Sequence, residues 1–561
     1  MMSRIAALLS IALLTGCGGG SSTLPSSTLA SSPHASIITL RIDQPAASSS
    51  SFRRRPQYVS PATESLVYVI TGPGSAGTVI GSGYVNLTPG STYCTSSGAL
   101  QPLTCTTQFA LPFPSTGNYT FNVATYDAQQ TAQCTPGTTG ATACAGNLLS
   151  DQDVAQTLTL GTNNVLTLVL GGVATSISLG PLTPGYIKGD AHGLTLWGAT
   201  AEKVTVEPLD ADGNPIVGLG APSIAVTSSA ATLKVTTAPT ASAPNLFALQ
   251  AKTSGTPAAV TPGVVNVSVA LTAPASGGGN AATFTVPVTI AHSIVYVATE
   301  QATSTVYGFY DGNTNGTKPN ITITNDVGDP FGVAVDANGA LYVSDSDLSY
   351  ISVYPSGSTT QSYVLNNAVN SPQGVAVDQG GNLYVANNGA NNVTEYAQGA
   401  RTGAPFATFS VTAPYGLAVD GSGNLYVGSQ NAAHTAYQIA MFPAGSPDGA
   451  SPSFVITSGV NYPSQLAFDG SGNLYVADTT KVEEYFAPLS ASSTVGNTIT
   501  TLATPYGVAV DAAGTIYACN DSSPGSVDLF APGSTGAATP TAQISIKYAA
   551  ALAVVPAAVQ P

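Results

Sequence analysis

Charged side chains make up only 7% of this 561-residue chain, and that scarcity argues first against helices. A long surface helix needs charged, straight-chain residues on its wet face, and here Ser, Thr, Asn and Gly stand in their place. Histidine is nearly absent, with four copies at His34, His192, His292 and His434, so the usual general base and metal ligand has little presence. No Ser-His-Asp spacing, phosphate-binding Gly-rich loop or Cys-His pair occurs, and Trp197 is the one tryptophan. No apolar stretch reaches the roughly 18 residues a membrane-spanning helix requires. Positive charge is short as well: 13 Lys and Arg face 28 Asp and Glu, a net of −15. Residues 292–561 hold 4 of the former and 18 of the latter, so −14 of that charge sits there. Such a surface repels phosphates, and a nucleic-acid partner is not expected. The acidity suits a cationic partner or weak Ca²⁺ bridging, or simply keeps the chain soluble; no other cofactor is called for.

Glycine (59) and proline (39) are abundant, which points to an all-β chain with many turns, and the length allows about three or four domains. The C-terminal half repeats itself. Gly332-Val333-Ala334-Val335-Asp336 returns at Gly374–Asp378, Gly416–Asp420, Gln465–Asp469 and Gly507–Asp511. Each copy leads through a turn to a second strand centred on Tyr342, Tyr384, Tyr426, Tyr475 or Tyr517, at intervals of 42, 42, 49 and 42 residues. A strand-rich period of about 40–50 residues is that of a β-propeller, one four-stranded blade per repeat. Asp336, Asp378, Asp420, Asp469 and Asp511 have the chemistry of hairpin turns, where the carboxylate caps its own backbone. Ile294–Val297 matches a second strand without a first, and Ala551–Val555 matches a first strand without a second. Joined, they predict a sixth blade that closes the ring and hides its edges.

The pattern Pro-x-Gly-Val-Ala-Val-Asp-x-x-Gly-Asn-Leu-Tyr-Val-Ala-Asp/Asn resembles the NHL family over residues 294–556. That resemblance implies a propeller, but the family includes binding modules and, more remotely, lyases and lactonases. Its usual ligand face carries the inter-blade loops and the ends of the second strands. Those positions are Phe331, Gln373, Tyr415, Ser464 and Tyr506, with Asp345, Asn387, Ser429, Asp478 and Asn520. Aromatic rings beside Asn and Asp suit a sugar or a polar peptide; alternatively the rings plug the channel and the polar groups cap strand ends.

At the N-terminus, Arg4 precedes the apolar run Ile5–Leu14 and then Leu14-Thr15-Gly16-Cys17. Ten apolar residues make a signal peptide. Its ending resembles the bacterial lipobox, which implies lipidation of Cys17, and Gly18 resembles the sorting pattern for the outer membrane. Residues 1–17 are thus read as signal and anchor, and 18–35 as a Gly/Ser/Thr/Pro tether. Residues 36–171 and 172–291 read as two β-sandwiches. In the first, Gly117–Thr125 alternates as a half-buried strand and resembles the corner-tyrosine strand of immunoglobulin-like domains. In the second, Asp210-Ala211-Asp212-Gly213-Asn214 fails the calcium-loop spacing and reads as an Asx turn. Cys94, Cys105, Cys134 and Cys144 could pair three ways, Cys94–Cys105 and Cys134–Cys144 being the local choices; their spacing does not suit zinc. Cys519 occupies a slot for small buried side chains.

The expected protein is therefore all-β: two immunoglobulin-like sandwiches and, over 292–561, a six-bladed NHL-type propeller. It would sit in the bacterial envelope, membrane-bound through Cys17, and present the propeller to a protein or carbohydrate. A propeller hydrolase or lyase, and a structural protein without a ligand, are the alternatives.

Overall fold

A computed structural model of the chain describes residues 9–14, 35–43 and 62–557. Breaks fall at 74–77, 88–93, 96–103, 113–114, 138–141, 160–164, 169, 182–184, 217–220, 238–244, 255–258, 274–277, 301–303, 311–317, 326, 401–402, 479 and 522–523. The described residues are all-β, in many small and mostly antiparallel sheets, with one 3-10 turn at Asn388–Ala390. None of them forms a helix long and apolar enough to cross a membrane. Cys17 and the segment 18–34 lie outside the described residues.

The N-terminal region contains two five-stranded sheets. In one, Leu9–Leu14 pairs with both Ala35–Asp43 and Val165–Leu168. The described part of the apolar run, Leu9–Leu14, is thus a strand, because apolar residues serve a sheet as readily as a leader. In the other, Gly117–Tyr126 is flanked by Ser65–Thr71 and Leu148–Leu158. Tyr119, fully buried, donates its hydroxyl to the Ser115 carbonyl at 2.6 Å. The sulfurs of Cys134 and Cys144 stand 2.16 Å apart. Cys94 and Cys105 are cross-strand partners, their side chains outside the described residues.

Residues 176–291 form a four-stranded and a five-stranded sheet around one apolar core, with Val204, Val206 and Phe247 from the first and Val267, Val269 and Val286 from the second. Burial of alternate residues along Glu202–Leu209 and Gly263–Thr272 is the period-two pattern of strands with one dry face. Asp210 accepts the N–H groups of Asp212 and Asn214, so its carboxylate is engaged in an Asx turn.

From Ile294 onward the described strands fall into six four-stranded antiparallel sheets, the arrangement of a β-propeller. Five are continuous in sequence, beginning at Pro330, Pro372, Leu417, Pro463 and Val508. The remaining sheet joins Ala549–Val555 to Ile294–Thr299, with Tyr296 opposite Ala553 and Val297 opposite Leu552. Second strands such as Leu341–Asp345 and Leu474–Asp478 are buried along their whole length, since each is covered on both faces by neighbouring sheets. At Gly374 only glycine fits, since a Cβ there would overlap the Tyr415 carbonyl.

Candidate functional site

The strands have two ends, and the repeats use them differently. At the first end, where inner strands turn into second strands, Asp336, Asp378, Asp420, Asp469 and Asp511 each accept the N–H four residues on, at 2.8–2.9 Å. These carboxylates hold hairpins. The sheets of residues 176–291 meet this rim: Tyr186 donates its hydroxyl to Asp511 Oδ2, which also receives Tyr517 at 3.0 Å. Trp197 packs nearby on the core that contains Tyr296.

At the opposite end, the polar residue closing the second strand reaches back in four of the sheets to the loop entering its own sheet. Asp345 accepts from Gly328 N–H, Asn387 from Asn370 at 3.1 Å, Asp478 from Tyr462 at 2.9 Å and Asn520 from Ala503 at 3.1 Å. Asp345, Asn387 and Asp478 are at most 1% exposed. The sequence reads them as ligand groups or as caps of strand ends; here they accept loop N–H groups, because an inter-sheet loop at a packed end leaves N–H groups that need buried acceptors. Ser429 holds the same slot, buried, but its hydroxyl has no hydrogen-bond partner.

One inner-strand side chain reaches across to the closing strand. Gln465 stands where the other four repeats have glycine, and its amide pairs with the main chain of Leu552. Nε2 donates to the Leu552 carbonyl at 2.7 Å, and Oε1 accepts Leu552 N–H at 3.0 Å and Val508 N–H at 3.2 Å.

Around this mouth the predicted residues divide. Tyr415 and Tyr506 belong to an aromatic cluster completed by Tyr437 and Tyr462, with ring centroids 4.9 Å apart for Tyr415–Tyr462, 5.4 Å for Tyr437–Tyr462 and 6.4 Å for Tyr462–Tyr506. Gln430 donates to the Tyr415 hydroxyl at 3.3 Å and meets His434 with its other amide atom. Ser464 is occupied instead, donating to the Tyr506 and Ala477 carbonyls at 2.7 and 3.1 Å. Gln373 is half-buried, with an Oε1 that finds no partner, and Phe331 is half-buried outside the aromatic cluster.

Three carboxylates, Glu300, Asp329 and Asp521, flank strands of three different sheets. Glu300 follows the strand Ile294–Thr299 and donates its N–H to the Tyr548 carbonyl at 3.1 Å. Asp329 precedes Pro330 and accepts the Ser346 hydroxyl. Asp521 follows Ile516–Asn520, with its Oδ1 buried and unpartnered among the described residues. Partial burial and the charges of Asp329 and Asp521 push the Glu300 carboxyl above its ordinary value, and burial raises Asp521. The Tyr462 phenol is also pushed up, by burial, then by Tyr415, Tyr506 and Tyr437, and by Glu300. The charge of Glu300 is thus felt at the tyrosine cluster through Tyr462. Sequence reasoning missed Tyr437, Tyr462, Glu300, Asp329 and Asp521 because each departs from its repeat; those departures at fixed positions were the available signal. Cys519 is fully buried, and burial holds its thiol well above the usual range, so it is inert.

Residues 369–396 match the NHL repeat. They comprise the strands Pro372–Val377, Leu383–Asn387 and Asn392–Tyr396. No match is found among curated proteins. Similar solved structures include the hydrazine synthase of Kuenenia stuttgartiensis, at 15% identity over 36% of this chain, with a TM-score of 0.30. This chain covers 63% of that one, a little under two thirds. A protein of unknown function from Bacteroides caccae is 12% identical, over 47% of this chain and 99% of its own, with a TM-score of 0.37. The virginiamycin B lyase of Staphylococcus aureus is 16% identical, over 40% of this chain and 72% of its own, with a TM-score of 0.28.

Proposed function

We propose that this chain is a lipid-anchored binding protein of the bacterial envelope, in which two immunoglobulin-like sandwiches carry a six-bladed NHL-type propeller closed by its first and last strands. The reading of ring and blade count rests on six four-stranded sheets and on the pairing of Ala549–Val555 with Ile294–Thr299. The corner hydrogen bond of Tyr119 to Ser115 supports the immunoglobulin-like assignment. The lipid anchor at Cys17 and the outer-membrane location rest on Leu14-Thr15-Gly16-Cys17-Gly18, and cleavage there removes Leu9–Leu14 from its sheet.

One observation carries the binding reading. The second domain meets the propeller at Asp511, on the hairpin rim, whereas the tyrosine cluster lies at the other end of the strands. A five-residue strand separates the two rims by about 17 Å. The Tyr186 contact and the tyrosine cluster therefore lie at different ends of the strands, as a presented binding surface requires. The mouth's ligand is a protein or carbohydrate. The hydrolase or lyase alternative gains nothing from the mouth's imidazole, since His434 meets Gln430 rather than a carboxylate.

Two measurements test this reading. Full-length protein expressed in a Gram-negative host with a clickable fatty acid should be labelled and recovered with outer membranes, and Cys17→Ser should be neither. Purified protein should melt higher with at least one member of a glycan and peptide panel, because a ligand selective for the folded state raises the midpoint. An unlabelled protein defeats the anchor, and a midpoint unmoved by the whole panel defeats binding.

A further inference from the structure

The tyrosine cluster draws on three consecutive sheets. Tyr415 and Tyr437 belong to the sheet that begins at Leu417, Tyr462 precedes Pro463, and Tyr506 enters the sheet that begins at Val508. Tyr462 is central and packs against the other three rings. The backbone beneath them is fixed. Tyr415 gives its N–H to the Gly428 carbonyl at 2.7 Å, Tyr462 gives its N–H to Asp478 at 2.9 Å, and the Tyr506 carbonyl takes the Ser464 hydroxyl at 2.7 Å. A platform held in this way has little freedom left to lose on binding. Its ring contacts are all inclined, at 50–83°, so they form no parallel-walled slot of the kind that receives prolines. Tyr506 is the most open of the four, 37% exposed.

The edge of the cluster is polar and uncharged. Gln430 Nε2 donates to the Tyr415 hydroxyl oxygen at 3.3 Å, and Gln430 Oε1 lies 2.5 Å from His434 Nδ1. An amide oxygen only accepts, so Nδ1 carries the proton and the Nε2 of a neutral ring is an acceptor. The Tyr415 hydroxyl, already accepting from Gln430, keeps its own hydrogen to give. Strain gathers at the same end. Seven described non-glycine residues have positive φ, and all seven sit in the loops at this end of the strands, His434 at 53° and Tyr548 at 57° among them. The hairpin rim meets the same demand with glycine, as at Gly339 and Gly381. Backbone held in an unfavourable region clusters where a surface must be presented in one shape.

We propose that the tyrosine cluster binds a neutral oligosaccharide, one sugar ring lying against Tyr506 and the hydroxyls of its neighbour bonded by Tyr415 and His434, with Tyr462 between. The C–H groups of a sugar face carry the partial positive charge that the π-face of a tyrosine attracts. Each sugar hydroxyl both donates and accepts, which matches the donor and acceptor at the cluster's edge. A cationic side chain has no use for the Tyr415 donor, and a proline ring none for the imidazole acceptor. This rests on the reading of the mouth as a binding site and names its ligand class.

The test is titration calorimetry of the purified full chain with chitotetraose, cellotetraose, maltotetraose and mannotetraose, and with deca-proline and tetra-lysine as probes of the competing classes. At least one of the four sugars should bind, and neither peptide should. Tyr506→Ala should weaken sugar binding about tenfold, while Phe406→Ala, which removes an exposed ring at the hairpin end, should change it less than about twofold. Tyr415→Phe keeps the ring and removes the donor, and should weaken binding roughly threefold to tenfold. Melting curves identify any variant that fails to fold, and Tyr506→Leu then replaces Tyr506→Ala. Failure of all four sugars to bind, or an equal loss in Tyr506→Ala and Phe406→Ala, would overturn the proposal. If a peptide binds, no sugar does and Tyr506→Ala removes that binding, the sugar is wrong but the binding site stands; if no probe of any kind binds, both fall.

Discussion

Gln465 pairs with Leu552 as one peptide group pairs with another: its amide both donates to and accepts from the same residue's main chain. The contact spans 87 positions and ties an inner strand to the strand that the C-terminus returns to the first sheet. In the four other repeats the position is glycine, so this is a single departure with a structural consequence. Replacing Gln465 by Ala leaves the N–H groups of Leu552 and Val508 without their acceptor. The expected cost is about 1–3 kcal/mol, read by denaturant unfolding. Gln373→Ala, which removes an amide oxygen that already lacks a partner, should cost less.

Asp478 supplies two acceptors, to Tyr462 N–H at 2.9 Å and to Asn461 Nδ2 at 2.9 Å. Asp478→Ala should cost about 2–3 kcal/mol, a buried charged acceptor being lost. Asp478→Asn should cost about half of that, since Asn387 does the same work with a neutral amide and one oxygen still faces the Tyr462 amide. Chemical denaturation distinguishes the two. If Ala and Asn cost the same, the latch is not what Asp478 provides.

Several carboxyls titrate in one direction. Burial is the leading cause that pushes Glu202, Glu300, Glu395 and Glu483 above the ordinary value of 4.5, and Asp151 and Asp521 above 3.8. A raised acid holds its proton more tightly when folded, so stability falls as pH rises through the interval from the unfolded to the folded value. The melting midpoint should therefore be higher at pH 5 than at pH 7.5. Glu395→Gln, which keeps an oxygen for the Tyr384 hydroxyl, should raise the midpoint at pH 7.5 and bring no gain near pH 4. A midpoint that falls steadily from pH 7.5 to 5 contradicts this.

Tyr186 joins the sheets of residues 176–291 to the six four-stranded sheets through Asp511. Tyr186→Phe removes one hydroxyl donor from a buried carboxylate that keeps its bond to Tyr517, for a cost of about 1–2 kcal/mol. The loss should appear as coupling. In calorimetry the variant's two domains should melt further apart than in the parent, with proteolysis favoured near residues 291–293. An unchanged profile would show that Trp197 packing alone holds the domains together.

Regular features were legible because they repeat. The tyrosine interval gave the strands, and Asp-x-x-Gly gave the hairpins, since both depend on a few neighbouring residues. The role of the strand-end Asp and Asn was harder to read. Polar residues at a channel mouth and polar residues latching a loop look alike in sequence, and only burial and partner atoms separate them. The two aromatic predictions that joined the cluster, Tyr415 and Tyr506, were visible as large side chains in a slot of varied size. Glu300 and Tyr462 lie 162 positions apart and in no shared motif, so nothing local could unite them.

By itself the amino-acid sequence determined the all-β character, the repeat and its turns, because strand period and turn chemistry are set within a few residues of backbone. Only the tertiary structure decided which polar groups are buried in loops and which tyrosines cluster. Those outcomes depend on what distant sheets bring within a few ångströms, and desolvation acts on the assembled neighbourhood rather than on the residue type.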